Sequence, residues 1–298
     1  MLAREALMHY WQVFLENLLG YARYLGGELL HPHLGNYLYW LIGISLVVYG
    51  LELAAPWRKQ QARFRRDFGL DAFYMFFNFF IFSLVGYHAA SQVVVTAFSD
   101  LLALVGISNL VSIRVDNLPV WVQLLTLFLL RDFVQFNIHR LLHKVPFLWE
   151  FHKVHHSVRE MGFAAHLRFH PAETIVYRTL EYLPLALIGF GIDDFLIVHL
   201  VALTIGHLNH ANFVLPLGPL KYVLNNAPMH IWHHAAKMPD SHPNGINFGI
   251  SLSIWDYLFR TAHIPFDGRD IPLGFDGLED FPNDFAHQVI WPAGKGSR

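Results

Sequence analysis

Three long apolar runs dominate the first half of the chain. Tyr37 to Ala55 is apolar except for Glu52 near its end, Leu70 to Phe98 is rich in Phe and Val, and Leu118 to Asn137 stays apolar until Arg131 and Asp132. A helix needs about 20 apolar residues to cross a bilayer, so each run predicts a span. A fourth region, Thr179 to Ile205, is broken by Gly189-Phe190-Gly191-Ile192-Asp193-Asp194. The histidines on either side of it fit best in one site, and a single crossing would part them. The pattern therefore predicts a helical hairpin over 172–209, with arms of about 17 residues that each reach about 25 Å. A short re-entrant pair is the alternative. Met1 to Leu19 mixes Glu5, His9 and Glu16 into an apolar pattern, which predicts an amphipathic helix lying on a bilayer or packed on the body. It lacks the basic start and small-residue cleavage site of a signal peptide.

Charge orients these elements. The densest basic run, Trp57-Arg58-Lys59-Gln60-Gln61-Ala62-Arg63-Phe64-Arg65-Arg66, follows the first span, and the positive-inside rule puts it in the cytoplasm. Arg140 and Lys144 then fall inside again, while the 99–117 loop carries only Arg114 as a base. From Asn212 onward the chain is richer in Pro, Gly, Asn and Asp and reads as a cytosolic cap of short helices and loops. The expected fold is all-α: an integral-membrane helical bundle of three spans plus a helical hairpin, under a cytosolic, histidine-rich helical cap holding a di-metal site. Residues 1–127 form the N-terminal helix and spans, 128–262 the catalytic region with its hairpin, and 263–298 a cytosolic tail.

Composition supports the membrane reading. Of 298 residues 54% are hydrophobic and 15% charged, whereas soluble domains carry nearer a quarter charged residues. The net charge of −2 and the lack of a basic, aromatic-interleaved patch give no reason to expect a nucleic-acid partner. The absence of cysteine excludes disulfides, thiolate zinc sites, iron–sulfur clusters and cysteine nucleophiles. The 20 histidines are the outstanding excess.

Eight of them form three clusters: His139-Arg140-Leu141-Leu142-His143, His152-Lys153-Val154-His155-His156 and His230-Ile231-Trp232-His233-His234. Residues three and four apart share a helix face, so each cluster aims two or three imidazoles at one point. A lone buried histidine is usually a hydrogen-bonded core residue. Two triples and a pair at the inner ends of predicted spans are hard to explain by packing alone, and they are enough for two metals but too many for one. Imidazole suits Zn, Cu, Fe and Ni. No HExxH motif marks a zinc hydrolase, no GxSxG elbow a serine hydrolase and no GxGxxG a dinucleotide site. A redox-active metal pair fits best. A metal-transport membrane protein or a metal-dependent membrane lipid hydrolase are the alternatives, and the former would need ligands at several depths, where only His88 and His199 lie.

The ordered motifs over about residues 128–262 resemble the fatty acid hydroxylase / sterol desaturase superfamily. They are Asp132-Phe133 leading into the first cluster, Leu148-Trp149 before the second, Arg168-Phe169-His170-Pro171, His210-Ala211-Asn212, Gly218-Pro219-Leu220 and Leu224-Asn225 before the third, then Asn247-Phe248-Gly249 and Trp255-Asp256-Tyr257-Leu258-Phe259. The resemblance implies two Fe ions at the cytosolic membrane face, O₂-dependent hydroxylation or desaturation, and a lipid substrate. Carried over, the metal ligands are His139, His143, His152, His155, His156, His230, His233 and His234, with His210 as a ninth. His207, three residues earlier, is not taken as a tenth. His170 is assigned to outer-sphere or structural duty, His166 to the surface or the outer sphere, and His31 and His33 to a loop. Asp132, two helical turns before His139, is expected to hydrogen-bond the far nitrogen of a metal-bound imidazole, with a structural pair to Arg131 or a neighbouring helix as the alternative. Asp256 and Asn247 are weaker candidates for the same work. With no haem, flavin or iron–sulfur motif, electrons are expected from a separate ferredoxin or cytochrome-type protein. A bacterial inner membrane is the expected setting, or the endoplasmic reticulum in a eukaryote.

Overall fold

The computed structural model describes residues 2–104, 106, 115, 117–186 and 192–294. Among them the fold is all-helical, with isolated bridges, Leu224 to Leu252 and Ala235 to Leu273, in place of strands. Helix α1 (Leu2–Leu30) is longer than the predicted amphipathic segment. It packs on a π-helical stretch, Phe77–Ala90, which joins α3 (Phe68–Phe76) to α4 (Ser91–Leu104). Asn36 makes the turn into α2 (Tyr37–Ala54): its Oδ1 accepts from Tyr39 N at 3.3 Å, and its Nδ2 donates to Glu28 O at 2.7 Å. One side chain thus caps α2 and ties it to the end of α1.

Only α2, among the described helices, is long and apolar enough to cross a membrane by length and composition. Shorter apolar helices run over Phe68–Ser83 and Leu196–His210. Helix α5 (Val120–Lys144) has 25 residues but carries Arg131, Asp132, Arg140 and Lys144. Large apolar side chains lie bare on several of these elements, among them Trp40, Leu46, Val47, Phe76, Trp121 and Leu125, with Leu46 and Val47 each 64% exposed. An apolar surface of that extent points to membrane association. Helices α7 (Pro171–Ala186) and α8 (Ile192–His210) both pack on α5 and occupy the sequence expected for the two arms of the hairpin. Of its expected turn, Gly189 to Asp194, residues 189–191 lie outside the described residues, as do Arg114 and the side chain of His88, while Ile192 to Asp194 open α8 and are helical.

The cap is built by sharp reversals. Helix α5 ends at Lys144, and α6 (Pro146–His156) begins two residues later. Val145 between them is extended, with φ −94° and ψ 113°, the conformation a following proline demands, and Pro146 at the first turn sacrifices no helical hydrogen bond. Glu52, the one charge in the first apolar run, accepts from Phe163 N at 2.8 Å and from Asn212 N at 2.7 Å. It thereby ties the end of α2 to the 3₁₀ turn Phe163–Leu167 and to the residues after α8. Two members of the basic run are turned inward. Arg58 donates to Met161 O, and Arg65 pairs with Asp71, which also binds Arg168 at 3.1 Å. Lys59, Arg63 and Arg66 remain exposed.

Candidate metal centre

Four elements converge. Helix α5 presents His139 and His143 one turn apart. Helix α6 presents His152, His155 and His156. The end of α8 brings His210. Helix α9 (Ala227–His233) brings His230 and His233, with His234 as its C-cap. Asn226 fixes the start of α9 by accepting from Met229 N at 3.1 Å. All nine histidines singled out from the sequence come together, in two groups. His139, His143, His152, His156 and His233 form one; His155, His210, His230 and His234 form the other, with candidate ligand atoms in each within 4.8 Å of one another. The groups adjoin through His156 and His234, whose rings stack at 4.4 Å.

The imidazoles fit a cation. His139 Nδ1 donates to Phe248 O at 2.8 Å, and His152 Nδ1 donates to the Glu173 carboxylate at 2.8 Å. A neutral imidazole carries one N–H, so the Nε2 of each is a bare lone pair. These two Nε2 atoms face each other at 3.2 Å, an arrangement that repels unless a cation lies among them. His233 Nδ1 donates to Ile246 O at 2.8 Å, and its buried Nε2, like those of His143 and His156, has no protein partner. In the second group His210 Nδ1 donates to Gly206 O at 2.8 Å, leaving its Nε2 lone pair 3.3 Å from His155 Nε2 and 3.1 Å from His230 Nε2. Burial favours the neutral form. It holds His139 down to about 4 and pushes His143, His152, His156, His233 and His234 well below the ordinary imidazole value. Nine neutral imidazoles near pH 7 can hold Zn, Cu, Fe or Ni.

The surrounding residues correct several expectations. Asp132 touches no imidazole. Its carboxylate accepts from Ser251 N at 2.8 Å, Leu252 N at 3.1 Å and Trp255 Nε1 at 2.8 Å. Seven helical residues place it on the face of His139 but about 10 Å along the axis, out of reach of the ring and level with residues 251–255. Asp256 accepts from Phe248 N at 2.8 Å and Gly249 N at 2.7 Å, so it shapes the backbone whose Phe248 carbonyl orients His139. Asn247, at φ 53°, bridges Met229 O at 3.0 Å and His263 N at 2.7 Å. His170 lies outside both groups. Its Nδ1 accepts from Ala172 N at 3.0 Å at the start of α7, and its Nε2 donates to Val289 O at 2.9 Å. His166 is not on the surface: it lies 3.0 Å from His207, with its ring 5.2 Å from that of His210. His207 belongs to neither group and contacts Ser45 Oγ at 3.0 Å. His199 lies between Arg131 and Tyr37.

Glu173 is the residue that sequence reasoning missed. It is 1% exposed and bonds His152. The signal was present in His170-Pro171-Ala172-Glu173, yet an acid in a helix's first turn is ordinary, because it suits the helix dipole.

Residues 124–261 match the family model described as fatty acid hydroxylase. An ornithine lipid hydroxylase of Rhizobium tropici is 32% identical over 162 residues, 54% of this chain and 48% of that protein. The alkylglycerol monooxygenase of Homo sapiens is 32% identical over 135 residues, 45% of this chain and 29% of that protein, and its Xenopus tropicalis counterpart is 28% identical over 143 residues, 47% and 30%. The matched stretch thus spans about half or less of these curated relatives. No solved structure matches the chain. The family match covers most of α5 through α10 (Ile254–Phe259), the stretch that supplies all nine converging histidines, and it is this stretch that belongs to the fatty acid hydroxylase family.

Proposed function

We propose that this chain is an O₂-dependent hydroxylase of a membrane lipid, working at two iron ions held by His139, His143, His152, His156 and His233 on one side and His155, His210, His230 and His234 on the other. The observation that carries the reading is the facing of buried imidazole lone pairs, foremost those of His139 and His152, two rings that are both fixed by a partner on Nδ1. The family match and the relatives named ornithine lipid hydroxylase and alkylglycerol monooxygenase support hydroxylation of a lipid over transport or hydrolysis. Residues 128–262 are the catalytic region. The three spans and the hairpin carry it, with the histidines at the cytoplasmic face of a bacterial inner membrane.

The overall change is R–H + O₂ + 2e⁻ + 2H⁺ → R–OH + H₂O, the electrons coming from a separate ferredoxin or cytochrome-type protein. When bound, the irons supply the binding and reduction of O₂. The chain's own residues orient and exclude. Phe248 O, Ile246 O and Gly206 O fix the tautomers of His139, His233 and His210. Glu173 holds the proton on His152 Nδ1 and raises the donor strength of the opposite nitrogen. Leu167, Phe169, Leu203 and Ile250 line the adjoining cavity and keep bulk water from the reacting carbon.

The test is metal analysis with Mössbauer spectroscopy on protein purified in mild detergent, coupled to O₂ uptake and lipid product analysis. About two irons per chain and stoichiometric O₂ use are expected. Full activity without iron, or lipid turnover without O₂ uptake, would end the proposal.

A further inference from the structure

Adjoining the histidines, five of which line it, a cavity of about 160 Å³ lies between α5, α7 and α8. Its wall carries three buried oxygen acceptors with no hydrogen-bond partner: Gln135 Oε1, Glu173 Oε2 and Asn209 Oδ1. The residues are 6%, 1% and 2% exposed. Their orientation is set by the bonds they do make. Gln135 Nε2 donates to Glu181 at 2.9 Å, Asn209 Nδ2 donates to Ile250 O at 2.7 Å, and Glu173 Oε1 accepts from His152 Nδ1 at 2.8 Å. The free atoms are therefore oxygens, able only to accept unless Glu173 is protonated. Donors on the same wall are engaged: Tyr177 OH donates to Gln135 O, and Arg131 binds Glu181.

A hydrocarbon chain lying here would leave three desolvated acceptors unpaired, a cost that burial of methylene groups does not offset well. A group rich in N–H donors satisfies them. The volume corresponds to about five waters, room for a small head group.

We propose that this cavity is a head-group subsite that takes the N–H-bearing end of a lipid, a primary ammonium or amide, so that the oxidised carbon lies close to that group and not in mid-chain. The inference rests on the lipid-hydroxylase reading above and narrows its substrate class. Gln135 and Asn209 are specificity-determining residues in it, one on α5 and one on α8.

The experiment uses iron-loaded full-length protein in nanodiscs and three synthetic lipids of equal chain length: an N-acylated diamino acid with a free primary amine, its N-trimethylated form and an alkylglycerol. Binding is read by tryptophan fluorescence and the product by mass spectrometry. The primary amine is expected to bind at least tenfold more tightly than the trimethylated lipid, and its product to carry oxygen in the head group. Gln135→Leu and Asn209→Leu should each shrink that preference severalfold with iron content unchanged. Equal affinities in the unaltered protein overturn the subsite, as does a preference that survives both substitutions; that outcome also marks a cavity filled by ordered water alone. Oxidation of all three lipids in mid-chain would sink the subsite and leave the hydroxylase reading standing. Amine-selective binding without any O₂-dependent product would sink the hydroxylase reading and leave the subsite.

Discussion

The two histidine groups are held in different ways. In the group of five, three rings are tied down through Nδ1: His139 and His233 by the carbonyls of Phe248 and Ile246, and His152 by Glu173. In the group of four only His210 is tied, by Gly206 O, while the buried Nδ1 atoms of His155, His230 and His234 have no protein partner. The first group is preorganised by its surroundings. On the proposed metal reading the second is left to its ion to orient it, and three of its four members line the cavity, against two of the first group's five, His139 and His152. The contrast assigns a retained metal to one group and a more labile one to the other.

Alanine at one member of each group gives the largest effect. His233→Ala and His230→Ala should each lower product formation by more than about 100-fold, because a missing ligand disables a centre whose parts act together. Metal analysis sharpens the comparison. His230→Ala should keep the ion of the five-histidine group, whereas His233→Ala should lose it. Retained activity in either variant would remove that residue from the centre.

Glu173 comes next. Glu173→Ala should cost about 10–100-fold in metal affinity or activity, the usual range for an outer partner of a ligating histidine, with Glu173→Gln recovering part of the loss because its carbonyl still accepts from His152. The effect should fall on the five-histidine group. An equal loss from both groups would break the distinction. Stepwise chelation of the unaltered protein offers a milder check, with the four-histidine group expected to empty first.

The sequence reveals directions more readily than distances. Eight of the nine histidines were legible because a 3.6-residue repeat puts HxxxH and HxxHH on one face whatever the tertiary context, whereas His210 lies in no such cluster and was reached only through the family resemblance. Asp132 was misassigned by the same logic. Facing the correct way did not bring it within reach of a ring, and a loop 119 residues downstream supplied its partners. Asn209 and Gln135 were invisible as a pair, since only the packing of α5 against α8 puts their unpartnered oxygens on one cavity. All-helical architecture was readable from the length of the apolar runs. The inward turn of Arg58 and Arg65 was not, because a basic run reads as solvated unless its acceptors, Met161 O and Asp71, are seen beside it.

Acid should separate metal-free protein from metal-loaded. His139 is held down to about 4 from an ordinary 6.5, chiefly by burial. Between those values the unfolded chain binds a proton that the native state refuses, so stability rises with pH across the window. Metal-free protein is therefore expected to melt at progressively lower temperature as pH falls from 6.5 toward 4. Thermal melts that stay flat across that range would show the rings to be solvated and the burial argument to be wrong.

The smallest effect tests the four-histidine group from outside its ligands. Gly206 gives His210 its carbonyl partner, and a Cβ placed there would lie 2.2 Å from the His166 ring. Gly206→Ala must push His166 aside, and His166 contacts both His207 and the ring of His210. Overpacking of this kind costs about 1–3 kcal/mol, read as a lower melting temperature. The displaced ring should disturb His210 and leave the five-histidine group intact. Metal loss confined to the four-histidine group is expected, with His166→Ala in the same chain restoring it by clearing the space. Loss from the other group, or no rescue, would mean that Gly206 matters through helix packing and not through His210.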